Sequence, residues 1–374
     1  MRIAHILPFS EIGGTEIGQV NVMLASRRLG IDAFAIVPEG SGAVAGYVQA
    51  AGFEAFPYAV PQPSFRHGAR FWRESGKLAA FLHERKATAM HCANVLGAYH
   101  CALAGRRAGI PVIGHVRGRF EELPFREKVF MRWVDRWAFV SRSTWDRFCI
   151  PVKEGLGEVV YDGVSFAAVP EDAGIGVRAE FGLSGDTVIV GMVARVAPQK
   201  DFETLIRSAA ALSNHFPAVR FLMVGDLDPL HYPRVQRWLE EHQVADRFLF
   251  TGFRRDIVRL MKAMDVAVLS THGEGLPLVL LEAMSHGRPV VATGLDGILE
   301  VVEDGQTGLL VPHRDAAALA EAIGRMVSDP ALAKRLGEAG RRTVETKFSQ
   351  QAFEQSVERL YAGVFPGMAL PGKR

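Results

Sequence analysis

The sequence predicts an α/β protein with two doubly wound parallel sheets, one in each half of the chain. Strand-like runs such as Val188–Val193 are apolar on both faces, which is typical of parallel strands covered on both sides. Helical patterns separate successive runs, as the crossovers between parallel strands require. The 374 residues exceed what one core usually holds, at about 100–200 residues per domain, so two domains are expected.

The elements alternate in order along the chain. In the first half the strand-like runs are Arg2–Leu7, Ala33–Val37, Ala89–His91 and Pro111–His115, with helices from near Gly14 and over Tyr99–Ala108. The stretch from Val37 to Ser64 is rich in glycine and proline and predicts a loop. In the second half the runs are Val188–Val193, Arg220–Val224, Phe248–Phe250, Val266–Leu269 and Pro289–Ala292, each followed by a helical pattern.

The boundary between the domains is predicted near residue 165. A strand-like Val159–Tyr161 gives way to a stretch, extending to Phe181, that is dense in glycine, alanine and proline and is typical of a linker. The predicted domains are therefore 1–165 and 166–349. The last segment, Gln350–Val364, carries an apolar stripe at helical spacing that needs a surface to cover it.

Composition excludes several classes of protein. With 48% apolar residues the chain can build cores, and 43 basic against 41 acidic residues are too balanced for general nucleic-acid binding. No run reaches the roughly 18 apolar residues of a membrane helix. The three cysteines are far apart and form no zinc or redox motif, so a reducing, cytoplasmic location is expected.

Charge is distributed unevenly between the halves. Residues 1–165 hold 20 basic and 15 acidic residues, and the remainder holds 23 and 26. Within the first half, residues 106–147 interleave arginines with phenylalanine and tryptophan, a mixture that suits an anionic membrane surface or a polyanionic ligand. The solvated face of an amphipathic helix explains the same pattern, and both interpretations stay open.

The most informative stretch is Thr271–Thr293. It follows the strand-like Val266–Leu269, and open α/β sheets bind ligands at the carboxyl ends of their strands. The turn over residues 273–277 contains two glycines and a proline and precedes a helix beginning near Leu278, so its free amides would favour an anion.

Two acids flank this turn. Glu274 lies before the helix and Glu282 inside it, and together they could bind two parts of one polyhydroxyl ligand. Helix capping by Glu274 and a surface position for Glu282 is the alternative.

Two basic residues are expected at the same sheet edge. Arg195 and Lys200 lie between the strand Val188–Val193 and the predicted helix Phe202–Ala211. Their charges could neutralise a diphosphate.

The first domain offers a weaker signal. Gly13 and Gly14 follow the first strand and precede a helix, so this turn would let a phosphate approach a helix N-terminus. The third glycine of a dinucleotide fingerprint is absent, so a nicotinamide enzyme is not expected. His115 ends another strand, where an imidazole can accept a hydrogen bond or move a proton; a structural role is the alternative.

These motifs resemble family 4 of the retaining glycosyltransferases over nearly the whole chain. The matching residues are Gly13-Gly14-Thr15-Glu16, Val140-Ser141, Tyr161-Asp162-Gly163-Val164, Arg195 with Gln199-Lys200-Asp201, Val224-Gly225, Thr251-Gly252-Phe253, Glu274 to Glu282, and Gly287-x-Pro289-Val290-Val291. Asp162 departs from the pattern, which usually has Asn. The resemblance implies the GT-B fold, in which two Rossmann-like domains face each other across a cleft and the C-terminal helix returns to the first domain.

The resemblance also implies a role for each matched residue. In the second domain, Arg195 and Lys200 would bind the donor diphosphate, Glu282 the ribose and Glu274 the transferred sugar, assisted by the amides of Gly275, Leu276 and Leu278 and by the backbone of Phe253 and Arg254 near the base. In the first domain, the Gly14 amide would approach the diphosphate, and His115 would lie near the sugar. Arg117-Gly118 is the alternative match for that histidine.

The implied activity is retaining transfer of a sugar from a nucleotide-diphosphate donor to a hydroxyl acceptor on a lipid-linked or cell-envelope glycan. No cofactor or metal is expected, and no Asp-x-Asp motif stands at a strand end. The expected location is the cytoplasm, with peripheral binding to the inner face of the membrane. The alternatives are a nucleotide-sugar epimerase, a phosphorylase and a non-catalytic nucleotide-sugar-binding protein of the same fold.

Overall fold

The computed structural model describes residues 1–164 and 174–365. These form two compact units, Met1–Gly163 with the helix Gln350–Val364, and Val164–Ser349. Each unit contains one parallel sheet with helices between its strands, which confirms the predicted fold class. Residues 165–173 of the predicted linker lie outside the described part of the chain.

The sheet of unit 1 has seven parallel strands in the order β3-β2-β1-β4-β5-β6-β7. The strands are β1 Arg2–Ile6, β2 Asp32–Val37, β3 Glu54–Pro57, β4 Ala89–Cys92, β5 Val112–Val116, β6 Arg136–Phe139 and β7 Gly157–Val159. The helices are α1 Gly14–Arg28, α2 Gly42–Ala50, α3 Gly68–Glu84, α4 Val95–Ala108, α5 Phe125–Phe130 and α6 Arg142–Asp146. The C-terminal helix Gln350–Val364, labelled α15, belongs to the same unit.

The apolar stripe of α15 finds its surface on unit 1. Phe353, Val357, Leu360 and Tyr361 are fully or almost fully buried with residues of α1 and of the central strands. The Tyr361 hydroxyl lies 3.0 Å from His91 Nδ1 on β4, which fixes the helix to the sheet. The predicted return of the C-terminal helix to the first domain is confirmed.

Two predictions for unit 1 were wrong in detail. The stretch predicted as a loop contains α2 and β3. Gly40 and Gly52, with φ of +80° and +83°, mark the turns on either side of α2, whereas Gly42 and Gly46 lie within the helix. The strand predicted at Val159–Tyr161 is centred two residues earlier, as β7, which pairs with β6 at the edge of the sheet.

Unit 2 repeats the design with six parallel strands in the order β10-β9-β8-β11-β12-β13. They are β8 Val188–Val193, β9 Val219–Val224, β10 Phe248–Phe250, β11 Val266–Leu269, β12 Val290–Thr293 and β13 Leu309–Val311. Its helices are α7 Ile175–Glu180, α8 Phe202–Leu212, α9 Tyr232–Glu241, α10 Ile257–Ala263, α11 Leu278–Ser285, α12 Ile298–Val301, α13 Ala316–Ser328 and α14 Pro330–Lys347.

The strand order of unit 2 creates a reversal between β8 and β11. The chain moves outward from β8 through β9 to β10, and then returns to form β11 on the other side of β8. At such a point the neighbouring connections leave toward opposite faces of the sheet, which opens a crevice outside the carboxyl ends of the two strands. Across the described residues, no helix combines the length and apolarity needed to cross a membrane.

Candidate active site

Lys200 and Glu274 meet at the reversal point of unit 2. Lys200 follows β8, Glu274 follows β11, and their side chains form an ion pair that is 18% and 12% exposed. Thr271 Oγ1 donates a 3.1 Å hydrogen bond to Glu274 Oε1, which orients the carboxylate. The two loops are joined through the backbone, since His272 N donates to Gln199 O at 2.9 Å. The fold thus brings together two of the predicted site residues that are far apart in sequence.

The turn before α11 presents free amides. Among the described residues, the Gly275 and Leu276 amides donate no hydrogen bond, so both remain available to an anion at the helix N-terminus. The Leu278 amide differs from the expectation, because it donates to Leu276 O at 3.0 Å. Leu278 therefore closes the turn with its amide.

Gly297 packs against the backbone of this turn. The sequence analysis did not identify it as a site residue. A Cβ at position 297 would lie 2.0 Å from Gly275 O, so the two backbones approach closer than any other residue allows. The Gly297 amide also points to Glu274 O at 3.4 Å. The position has an ordinary φ of −64°, so its only signal was a glycine a few residues after a strand.

Glu282 lies on α11, about one helical turn after its first residue, Leu278. Burial raises the pKa of its carboxyl to about 7. In the described part of the chain its side chain makes no hydrogen bond or ion pair. A half-buried carboxylate without a protein partner gains most from a ligand that donates hydrogen bonds, such as a pair of hydroxyl groups.

Arg195 is exposed just beyond β8, and Gly225 sets the course of its backbone. Gly225 adopts φ of +147°, and a Cβ there would lie 2.3 Å from Ala194 O. The Gly225 amide donates to Gly252 O at 3.0 Å, which connects the ends of β9 and β10. Position 225 therefore requires glycine, because of its positive φ and because a Cβ would clash with the Ala194 carbonyl.

The loop after β10 carries Phe253 and Arg254. Phe253 is 66% exposed. The Arg254 guanidinium binds Asp256 and Glu180, and its hydrogen bonds to Asp256 hold the pKa of that carboxyl well below its usual range. The Arg254 side chain is thus engaged in ion pairs within the unit.

The predicted residues of unit 1 differ in exposure. Gly14 is exposed at the start of α1, and Glu16 Oε2 accepts a 3.2 Å hydrogen bond from Gly13 N. His115 is fully buried within β5, and its ring stacks on His91 at 5.4 Å between centroids. No part of His115 is exposed to solvent in this structure, and its predicted position near the sugar stays a prediction.

Burial and charge keep this imidazole neutral. Desolvation, and then the nearby Arg117 charge, hold the pKa of His115 well below its usual range. Arg117 follows β5 and forms a buried ion pair of 2.8 Å with Asp162. The sequence places His115 at the end of a strand, but its burial, its stacked neighbour and the Arg117 ion pair could not be predicted from it.

The two Rossmann-like units define a GT-B glycosyltransferase fold, and comparisons with known proteins agree. Residues 12–167 match the family model "Glycosyltransferase Family 4", and residues 187–329 match "Glycosyl transferases group 1". The chain therefore belongs to the family 4, group 1 glycosyltransferases.

Individual proteins show the same likeness. The chain is 34% identical over 188 residues to the lipopolysaccharide core biosynthesis glycosyltransferase LpsE of Rhizobium meliloti (strain 1021), covering 50% of this chain and 53% of LpsE. It is 30% identical over 179 residues to the capsular polysaccharide biosynthesis glycosyltransferase CapM of Staphylococcus aureus, covering 48% and 47%. The matched region thus spans about half the length of these curated relatives.

A solved structure extends the likeness of fold to the whole chain. The crystal structure of Anabaena Alr3699/HepE in complex with UDP and glucose aligns with a TM-score of 0.85. The alignment covers 97% of this chain and 99% of that one, at 21% identity.

Proposed function

We propose that the protein is a retaining glycosyltransferase that moves a sugar from a nucleotide-diphosphate donor to a hydroxyl acceptor. The observation that carries the proposal is the Lys200–Glu274 pair at the reversal point of the unit 2 sheet, with Glu282 on the helix that follows. Cation, free amides and two carboxylates are the groups that a nucleotide-sugar requires, because it combines an anionic diphosphate with two polyhydroxyl rings.

The positively charged groups neutralise the negative charge of the leaving nucleotide. Cleavage of the sugar–phosphate bond places negative charge on the diphosphate, and fixed cations and amide dipoles stabilise that charge best in the transition state. Lys200, Arg195 and the Gly275 and Leu276 amides supply them in this proposal. The family resemblance supports these roles, and it also assigns the backbone of Phe253 and Arg254 to the edge of the base.

The two carboxylates have separate tasks. Glu282 accepts hydrogen bonds from the ribose hydroxyls, which satisfies its unpartnered oxygens. Glu274, oriented by Thr271 and paired with Lys200, accepts from hydroxyls of the transferred sugar. The ion pair then links recognition of the sugar to the cation beside the diphosphate.

Retention follows from a front-face transfer. The acceptor oxygen forms its bond to the anomeric carbon on the face from which the diphosphate oxygen departs, and the acceptor proton passes to that oxygen. In this proposal Lys200 and Arg195 neutralise the leaving group, so the step needs no metal ion. We expect transfer to continue after chelation of divalent cations.

The acceptor is proposed to be a lipid-linked or cell-envelope glycan, as the names of LpsE and CapM suggest for those relatives. Unit 1 exposes large apolar side chains on and beside α3 and α5: Phe65 at 60%, Trp72 at 57% and Phe125 at 78%. The exposed Arg70 and Arg73 flank them. Exposed aromatic and basic groups together favour peripheral binding to an anionic membrane surface.

The deciding experiment is a donor assay. The full chain is incubated with UDP-, GDP- and ADP-sugars, and release of the nucleoside diphosphate is followed with and without EDTA. Lys200→Ala should abolish most of the release, whereas Lys334→Ala, which removes a lysine 79% exposed in the same unit, should not. Binding of nucleotide-sugar without any release would favour the non-catalytic alternative, and epimerised donor would favour an epimerase.

Membrane binding is tested separately by cosedimentation. Anionic vesicles should bind the protein at low salt and release it as salt rises, because these charges are screened within about 10 Å at 0.1 M. Trp72→Ala with Phe125→Ala should weaken the binding. Equal binding to neutral vesicles would contradict the role of the basic residues, and absence of binding at low salt would favour a soluble acceptor.

A further inference from the structure

Three side chains with metal-binding atoms lie together in unit 2, beside the Lys200–Glu274 pair. Asp201, His272 and His313 each offer one ligand atom, and these atoms lie within 4.8 Å of one another. His272 Nδ1 is 2.7 Å from His313 Nε2 and 3.7 Å from Asp201 Oδ2. The three come from the start of α8 and from the loops after β11 and β13, so only the tertiary structure assembles them.

The distances are close to those of a bound metal. Two imidazole nitrogens at 2.7 Å share one proton between lone pairs that point at each other, and a metal ion can replace that proton. A tetrahedral Zn²⁺ with Zn–N bonds of about 2.0–2.1 Å holds its ligand atoms about 3.3 Å apart. The 2.7 and 3.7 Å separations bracket that value, and all three ligand atoms lie within 4.8 Å of one another, so side-chain adjustment can bring them around one ion.

The site is partly preorganised. The backbone bond from His272 N to Gln199 O fixes the loop of His272 against the segment that carries Asp201. Both oxygens of Asp201 accept hydrogen bonds from Thr204, at 3.1 Å from its amide and 2.7 Å from its hydroxyl. Carboxylate ligands of metals are characteristically held by such outer contacts. His313 is exposed and can adjust to the ion.

The surroundings leave one coordination position open. Asp201 and His272 line a cavity of about 500 Å³ whose wall also carries Arg207, Arg234 and Arg314. One carboxylate leaves a divalent ion with net positive charge, and the arginines add to it. The fourth ligand is therefore water or an anion from the cavity.

We propose that Asp201, His272 and His313 form a binding site for a divalent transition metal, with Zn²⁺ as the expected ion. Two imidazoles and one carboxylate suit Zn²⁺, Co²⁺ or Ni²⁺, whereas Mg²⁺ and Ca²⁺ require oxygen ligands. The ion ties three loops of the sheet edge together. The site is independent of the proposed transferase activity, in which none of its ligands has a role.

The test measures metal binding by the full chain after chelator treatment and desalting. Zn²⁺ is titrated in competition with a chromophoric chelator, and Co²⁺ is titrated by its visible absorption, which is strong in tetrahedral sites. We expect one ion per chain in the wild type. His272→Ala, His313→Ala and Asp201→Asn should each weaken binding at least about tenfold, since even outer contacts of metal ligands are worth about 10- to 100-fold.

Control variants distinguish metal binding at this three-residue site from nonspecific binding by other histidines. His231→Ala removes a histidine from the wall of the same cavity and should retain wild-type affinity. Asp201→Asn keeps a good helix N-cap, and circular dichroism checks that each variant is folded. If the exposed His313→Ala variant binds Zn²⁺ as tightly as the wild type, or if Co²⁺ gives no tetrahedral absorption, the proposal is overturned.

Discussion

Replacing Glu282 with Gln should remove a loss of stability that the wild type shows as pH rises, and it should weaken nucleotide binding. Burial raises the pKa of this carboxyl from 4.5 to about 7. Below pH 4.5 the group is protonated in both the folded and the unfolded chain. As pH rises toward 7, the unfolded state loses its proton first, so the free energy of unfolding falls with pH.

The size of the effect follows from linkage. Each pKa unit corresponds to about 1.4 kcal/mol, so the wild type should lose about 2.5 kcal/mol relative to the Glu282→Gln variant between pH 5 and pH 8. Urea unfolding of both proteins at the two pH values measures the difference. The matched control is Glu321→Gln, which removes an exposed carboxylate from α13 of the same unit.

The same substitution tests the ribose role. Hydrogen bonds from ribose hydroxyls stabilise the ionised carboxylate, so nucleoside diphosphate binding near pH 7 should release a fraction of a proton from Glu282. Calorimetry in two buffers of different ionisation enthalpy detects that release. Glu282→Gln should lose it and bind the free nucleoside diphosphate more weakly. Parallel pH-stability curves together with unchanged nucleotide affinity would refute the reasoning.

Three further outcomes are expected. Glu274→Gln should lower turnover by roughly 30- to 900-fold, or about 2–4 kcal/mol, while the affinity for free nucleoside diphosphate stays near wild type; equal losses in both would contradict the division of roles. Gly297→Ala should displace the Gly275 carbonyl and reduce turnover in a protein whose circular dichroism is unchanged, and normal kinetics would show that the turn does not depend on this contact. Arg117→Leu leaves Asp162 as a buried unpaired charge and should cost about 3–5 kcal/mol of stability in thermal or urea unfolding, much of it recovered by adding Asp162→Asn.

The local sequence was sufficient to predict the outline of the fold and the position of the main site. Apolar runs such as those of β8 and β11 predict buried parallel strands, and parallel strands place their carboxyl ends at the same edge of the sheet. Lys200 and Glu274 each follow such a strand, so the sequence alone predicts that they lie close together in space. Their ion pair and its Thr271 partner were not predictable, because side-chain contacts depend on loop paths that propensities do not encode.

What the sequence by itself determined is the order and type of the buried strands and the glycine, acid and base positions at their ends, because these depend on local periodicity and chain direction. Only the tertiary structure decided that His115 is buried, that Gly297 admits the Gly275 carbonyl, and that Asp201, His272 and His313 converge. The physical reason is the same in each case. Burial, close backbone approach and ligand geometry are set by distances between segments far apart in the chain, and those distances exist only once the sheets have packed.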